Sequence, residues 1–394
     1  MRVIAWALYD LANTFFAVAM LTFYFPLWVV EDQGARELSY SIAVGASMAC
    51  VALLMPFCGA LSDATGERVR FLRWTTYACT AATCLIGFTS DVILGLVLFG
   101  VANIGYQLGT VFYDALLWQV TDPHRLGQTS GFGAAFGYLG SMVGLLLLWP
   151  FVHLGGYQAA FAPSAVFFLL CALPCFFLLR EPPVAERVAW GDLARAAVGR
   201  LVLTVRSAKT LGGVWRYLWA SFFSMNAIHT VLFFMAVYTR EVAGFSLGEM
   251  IRFFLFCQVF TIAGSLVFGQ IIPRWGAHRT LGRLWLGWIA ALALVAVNPT
   301  VPWLWVVGPL MGFCLGSTFA TARVLLMELS PKDQLAEMFG LGGLFGRVSA
   351  ILGPVVWGVL VWGPAGYRQG FIFLIGLLAI GLWLLRGVPV PHPR

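Results

Sequence analysis

Asp10, Asp114, Arg323, Arg347 and His229 each stand inside a long apolar run of this sequence, and they are the first place to look for chemistry. An ionisable group at the centre of a bilayer costs roughly 2.5–3.5 kcal/mol on insertion scales, so it persists where it meets a solute, an ion or a partner. Asp10 has no cation at helical spacing and is the candidate proton carrier. The alternative is an aspartate near the start of a helix that reaches inner water. Asp114 and Arg323 are opposite in charge, and each lies about one helical turn from the inner end of its run. That placement predicts an ion pair that closes the inner side and parts to meet a charged solute. A static pair, or an arginine snorkelling to the headgroups, is the competing reading. If the two pair, swapping their charges restores what each single substitution removes. His229 suits either a hydrogen-bonded packing role or a proton relay, and Arg347 reaches a cavity or an inner vestibule. Glu249 and Arg252, three residues apart, form a local pair that needs no function.

Several chemistries find no support. The sequence has no nucleotide-binding loop, no nucleophile arrangement and no cluster of metal ligands, so no cofactor and no metal are expected. Gly131-x-Gly133 grazes a dinucleotide fingerprint but leads from a loop into an apolar span, without the strand that fingerprint needs. The eight cysteines all fall within apolar blocks and read as packing residues. The five histidines, His124, His153, His229, His278 and His392, are scattered. An enzyme is not expected.

The elements that must position these residues follow from composition. Of 394 residues 60% are hydrophobic and 10% charged, far from the mix of a soluble domain. A span needs roughly 20 apolar residues. Apolar blocks and polar breaks predict twelve spans, the first six over about 4–30, 39–62, 71–89, 92–118, 129–152 and 160–180. The second six lie over about 215–238, 247–272, 281–297, 303–328, 337–361 and 370–386. The first block has a basic start and a small-residue triplet. Asp10 and Asn13 interrupt it and it runs on to Val30, so an uncleaved span is expected.

Seventeen basic residues fall in alternate connections and at the ends, against three (Arg36, Arg240 and Arg368) in the others. The positive-inside rule then puts both termini in the cytoplasm of a bacterial-type inner membrane. The net charge of +7 faces anionic lipid on this reading, and no nucleic-acid partner is expected. The longest break opens Glu181-Pro182-Pro183. Its stretch from Asp192 repeats apolar residues at Leu193, Ala197, Leu201 and Val205, which predicts a capped amphipathic helix on the inner face. The chain therefore divides into a bundle over 1–180, a cytoplasmic linker over 181–214 and a second bundle over 215–394.

A shift of 209 residues lays the fifth span on the eleventh. Gly131, Gly133, Phe136, Gly137 and Gly144 then meet Gly340, Gly342, Phe345, Gly346 and Gly353, and Asp114 meets Arg323. Such a repeat predicts two halves related by a pseudo-twofold axis. Glycines four apart also let helices approach closely in lipid.

Between spans two and three stands Gly59-Ala-Leu-Ser-Asp63-Ala-Thr-Gly66-Glu67-Arg68. An aspartate just past a helix end, a glycine to turn and a following arginine make a tight charged hinge. Gly269 to Arg279 is its counterpart and lacks the aspartate. The first loop resembles the signature loop of the major facilitator superfamily, Gly-x-Leu-Ser/Ala-Asp-basic-x-Gly-basic-basic. Within that superfamily, several motifs resemble the vacuole-effluxer-like family. They are Tyr9-Asp10-Leu-Ala12-Asn13, Phe112-Tyr113-Asp114-Ala115, Gly137-Tyr138-Leu-Gly140, Arg323, Pro331 and Ala336-Glu337-Met-Phe339-Gly340 leading to Gly353-Pro354.

The resemblance implies an all-α polytopic fold with twelve transmembrane helices in two pseudo-twofold-related six-helix bundles. It implies a gating loop at Gly59, Asp63, Gly66 and Arg68. It also implies a central cavity lined by spans one, four, seven and ten, which carry Asp10, Asn13, Tyr113, Asp114, Asn226, His229 and Arg323; Arg347 joins them from span eleven. The expected function is a monomeric secondary transporter that moves a small solute, such as an amino acid or related polar metabolite, with protons, in contact with membrane lipids. Export of amphipathic compounds is an alternative, as is a non-transporting receptor or assembly factor on the same scaffold.

Overall fold

The computed structural model describes every residue except 36, 180, 182–205, 207, 246, 298–299, 362–365 and 390–394. The amphipathic helix expected from Asp192 lies outside the described residues. Among those described, twelve α-helices of fifteen residues or more form. They are α1 (Arg2–Phe16), α2 (Glu37–Thr65), α3 (Arg68–Ile86), α4 (Val92–Val120), α5 (Leu126–Gly155) and α6 (Phe161–Leu178), then α7 (Gly212–Glu241), α8 (Leu247–Trp275), α9 (Ala277–Val297), α10 (Val301–Leu329), α11 (Leu335–Val361) and α12 (Gly366–Arg386). Past Phe16, α1 runs on through π-helical turns at Ala17–Phe23 and Trp28–Asp32, with Tyr24–Leu27 α-helical between them.

Eleven of these helical rods are long and apolar enough to cross a membrane by length and composition. The exception is α3. It opens on Arg68, Arg70 and Arg73 and carries Thr75, Thr76, Thr80 and Thr83. Each threonine hydroxyl donates to the carbonyl four residues back, at 2.7–2.9 Å, so the side chains are satisfied within the helix. The span expected over about 71–89 is therefore a helix here, with its polar groups satisfied internally.

Packing divides the chain into two compact units. Unit 1 holds Met1–Asp122, Phe136–Leu203 and Lys332–Gly340; unit 2 holds Pro123–Ala135, Thr204–Pro331 and Leu341–Arg394. The opening residues of α5 therefore pack in unit 2, and those of α11 in unit 1. Glycine explains both placements. In unit 2 a Cβ on Gly131 would strike the carbonyl of Ser265 on α8, and one on Gly127 would strike Ile272. In unit 1 a Cβ on Gly340 would come within 2.7 Å of the carbonyl of Met55 on α2, and Gly59 faces the carbonyl of Ala336. Gly131 and Gly340 are 209 residues apart, as are Pro56 and Ser265, so the sequence repeat is reproduced as a repeat of backbone contacts within each unit. Close approach of this kind supplies the dispersion contacts that hold helices together in lipid.

The core of unit 1 is aromatic. Tyr113 of α4 stacks between Trp6 and Tyr9 of α1, with ring centroids 4.5 and 5.2 Å away. Trp6 Nε1 donates to the carbonyl of Tyr113 at 3.0 Å, and the Tyr9 hydroxyl shares a hydrogen bond with Thr76 Oγ1 at 2.8 Å. In unit 2, Phe345 of α11 is met edge-on by Trp215, Trp219 and Phe222 of α7. Tyr217 donates to the carbonyl of Ala322, which ties α7 to α10.

Candidate functional site

The hinge after α2 is the most fully determined polar site, and all of it lies in unit 1. Helix α2 runs to Thr65, so Asp63 sits inside its last turn, where the sequence spacing placed it beyond the helix end. Thr65 Oγ1 satisfies the carbonyls of Leu61 and Ser62, which carries the helix further. Gly66 then turns the chain with φ +64°, a conformation that side chains rarely adopt. Arg68, the first residue of α3, returns its guanidinium to Asp63 through Nε (2.9 Å) and Nη2 (2.6 Å). The other carboxylate oxygen accepts the N–H of Glu337 at 2.8 Å, and Arg68 Nη2 also donates to the carbonyl of Lys332 at 3.2 Å. Both side chains are nearly sealed from solvent. Gly59, Asp63, Gly66 and Arg68, the four residues that the signature-loop resemblance singles out, thus act together to fasten the opening of α11 onto α2.

Further along unit 1, Asp10 and Asn13 are buried on α1. A Cβ on Gly137 of α5 would come within 3.3 Å of the Asp10 carboxyl carbon and 2.9 Å of Thr14 Oγ1, so α1 presents its polar face to the glycine side of α5. Asn13 Oδ1 is buried without a hydrogen bond. Tyr113 belongs to the aromatic stack already described. Asp114, the next residue on α4, is partly exposed.

Unit 2 collects the remaining residues. Asn226 of α7 lies directly against Gly353 of α11, and its Oδ1 is buried without a hydrogen bond. One turn on, Thr230 Oγ1 donates to the carbonyl of Asn226 at 2.7 Å. The ring of His229 lies 6.2 Å from that of Phe319 on α10 and feels the charge of Arg347. Its Nδ1 has no hydrogen bond. Arg323 and Arg347 are both partly exposed. The structure therefore brings His229 and Arg347 into one neighbourhood, with Asn226 three residues before His229 on α7. Asp114 and Arg323 fall in different units.

Two features escape sequence reading. Asn103 of α4 donates to Ser47 Oγ of α2 at 2.8 Å, and Gln107 donates to Asn103 Oδ1 at 3.3 Å, all three being buried. Polar residues four apart in an apolar helix were the available signal. Interhelical hydrogen bonds in membranes average about 0.6 kcal/mol and reach about 1.7. Asn103→Leu is accordingly expected to lower the melting temperature of the purified protein modestly; an unchanged melt would show that the ladder contributes nothing. The second feature is Glu181, which reads as the opening of the linker. Its Oε2 accepts the N–H of Val69 at 2.9 Å, so it caps α3 in place of Glu67, whose side chain makes no such bond.

With this geometry in hand, comparison with known proteins decides the family. A profile of the Major Facilitator Superfamily matches residues 11–286 and 259–394. The chain belongs to that superfamily. An uncharacterized superfamily-type transporter, YxiO of Bacillus subtilis (strain 168), is 25% identical over 98% of this chain and 94% of its own. Autophagy-related protein 22 of Cryptococcus neoformans var. neoformans (serotype D, strain B-3501A) is 23% identical, over 68% of this chain and 53% of its own. Among solved structures, the human organic anion transporter MFSD10 superposes with a TM-score of 0.77 over 98% of each chain at 16% identity. That likeness shows the fold. The superfamily's twelve-helix architecture is the one this chain adopts, and the protein is an integral membrane protein of transporter fold.

Proposed function

We propose that this chain is a secondary active transporter that moves a small polar solute across the inner membrane, with both termini in the cytoplasm and protons as the coupling ion. One observation carries the reading. Asn226 Oδ1 and His229 Nδ1, three residues apart on α7 in unit 2, are buried in an apolar span and make no hydrogen bond. Unpaired polar groups in such surroundings are costly, and a bound solute would satisfy them. Arg323 and Arg347, both in unit 2, would supply charge to an anionic group of the solute, and Asp10 would carry the proton. Amino acids and related metabolites are the first solutes to try, through the likeness to the vacuole-effluxer family. The contacts of Asp63 would form and break as the protein alternates its access, which makes the hinge a gate.

A thermal-shift screen of the purified protein against amino acids, sugars, organic acids and drugs tests this reading, followed by flux in proteoliposomes. The expected result is a solute that raises the melting temperature and is transported, with both effects lost in Asn226→Leu and Arg323→Gln. A solute that binds and is never moved would make the chain a receptor and overturn the proposal.

A further inference from the structure

Where α3 begins, unit 1 holds a cavity of about 560 Å³ that the transport reading does not use. Glu67, Arg70, Arg73, Trp74, Tyr77 and Glu181 line it. Two of its polar atoms are buried and unpaired, and they are of opposite kind. Arg73 Nε is a donor without an acceptor, although Arg73 Nη2 reaches the carbonyl of Phe176 at 3.0 Å. Glu181 Oε1 is an acceptor without a donor, although Oε2 is held by Val69. Arg70 is bridged to Glu67 at 2.7 Å, so the cavity balances two guanidiniums with two carboxylates. A simple anion would meet Glu181, and a simple cation would meet Arg73. A group carrying both charges a few ångströms apart satisfies both.

The wall outside the cavity says what such a group is attached to. Arg70, Trp74, Tyr77, Ala81 and Leu85 are exposed and recur every three or four residues, which makes a single stripe up α3, and exposed Phe88 follows in the turn just past its end. Its chemistry runs from guanidinium through amphipathic rings to bare hydrocarbon, with Trp74 64% and Phe88 77% exposed. Trp74 and Tyr77 pack edge to face at 6.3 Å, and Tyr77 packs on Phe176 at 5.8 Å, so the aromatic step is braced. From Arg70 to Leu85 the stripe covers roughly 22 Å at 1.5 Å per residue, about the depth of one leaflet from headgroup to chain ends. Aromatic rings at headgroup level are the usual mark of that boundary.

We propose that this cavity binds the headgroup of a phospholipid whose phosphate is joined to a primary ammonium, the phosphate on Arg73, the ammonium on Glu181 and the acyl chains along α3. The phosphate oxygens accept from Arg73 Nε, and the ammonium donates to Glu181 Oε1. A quaternary ammonium cannot donate that bond, and a glycerol headgroup has no cation.

The full-length protein, stripped with detergent and offered equal amounts of phosphatidylethanolamine, phosphatidylcholine and phosphatidylglycerol, would be read by native mass spectrometry. Retention of the ethanolamine lipid at least three-fold above the other two is expected. Arg73→Gln and Glu181→Gln should each abolish that preference, the second variant keeping an amide oxygen to cap α3. Burial pushes the Glu181 carboxyl up to about 7; Glu67 pushes it the same way, against the Val69 and Arg68 N–H groups and the Arg68 guanidinium. The charged partner of the ammonium is therefore present above that pH and lost below it, and the preference should be larger at pH 8 than at pH 6. Equal retention of all three lipids, or preference for phosphatidylglycerol, would overturn the proposal. So would a thermal shift from soluble phosphoethanolamine as large as that from the lipid, since the site would then serve a free solute. If a variant does not assemble, the three-lipid competition on the unaltered chain still decides, and its outcome is independent of transport.

Discussion

Asp63→Ala is expected to cut solute flux in proteoliposomes at least ten-fold and to lower the melting temperature. The substitution removes the acceptor of two bonds from Arg68 and one from the Glu337 N–H. It also leaves the guanidinium, 90% buried, without its counter-ion. Removing one partner of a buried pair costs about 3–5 kcal/mol, most of it the stranded charge. Asp63→Asn should fall between, because its amide oxygen still accepts the Glu337 N–H but carries no charge. Arg68→Lys should also fall short of the wild type, since an ammonium cannot reproduce the two-pronged contact. Flux that is unchanged in Asp63→Ala would show that the hinge is a passive brace.

Gly140→Val is expected to prevent recovery of folded, monodisperse protein. A Cβ at Gly140 would strike the carbonyl of Leu11 on α1, which is backbone and cannot swing aside. Overpacking costs about 1–3 kcal/mol where side chains can shift, and more where they cannot. Gly346→Ala is the control, because nothing lies within 4 Å of a Cβ there. It should leave the melting temperature unchanged or raise it slightly, as alanine favours the helix. Size-exclusion profiles of the two variants would separate them. A well-behaved Gly140→Val would mean that α1 and α5 do not depend on their contact.

These two glycines also mark where sequence reading stops. Both sit on helices that an apolar run makes obvious, and Gly346 belongs to the 209-residue repeat on the same terms as Gly131. Yet Gly131 faces a neighbour's backbone and Gly346 faces open space. Lipid exposure makes a span apolar on all sides, so no amphipathic stripe tells which face meets a partner. Tyr113 and Asp114 show the same blindness: adjacent in one motif, the first is locked in an aromatic stack and the second is partly exposed. Eleven of the twelve helices are legible from hydrophobic length, a local property, and α3 from the apolar block that follows its arginines. The hinge residues were legible because Gly66 and Arg68 act on Asp63 from within five residues. The bond from Glu337 to Asp63 spans 274 residues, and nothing local encodes it. Glu181 is the opposite case, since a Glu-Pro-Pro opening looks like the start of a linker and gives no hint of the helix it caps.

That long span bears on how the molecule is made. A ribosome delivers Asp63 and Arg68 first, and the amide that completes their network is translated 274 residues after Asp63. Until then the first half carries a buried-type charge pair with an unfilled acceptor and a groove on α2 shaped for glycine. Insertion must hold it in that unfinished state, so premature termination anywhere before residue 340 yields a product lacking a piece of its own first unit.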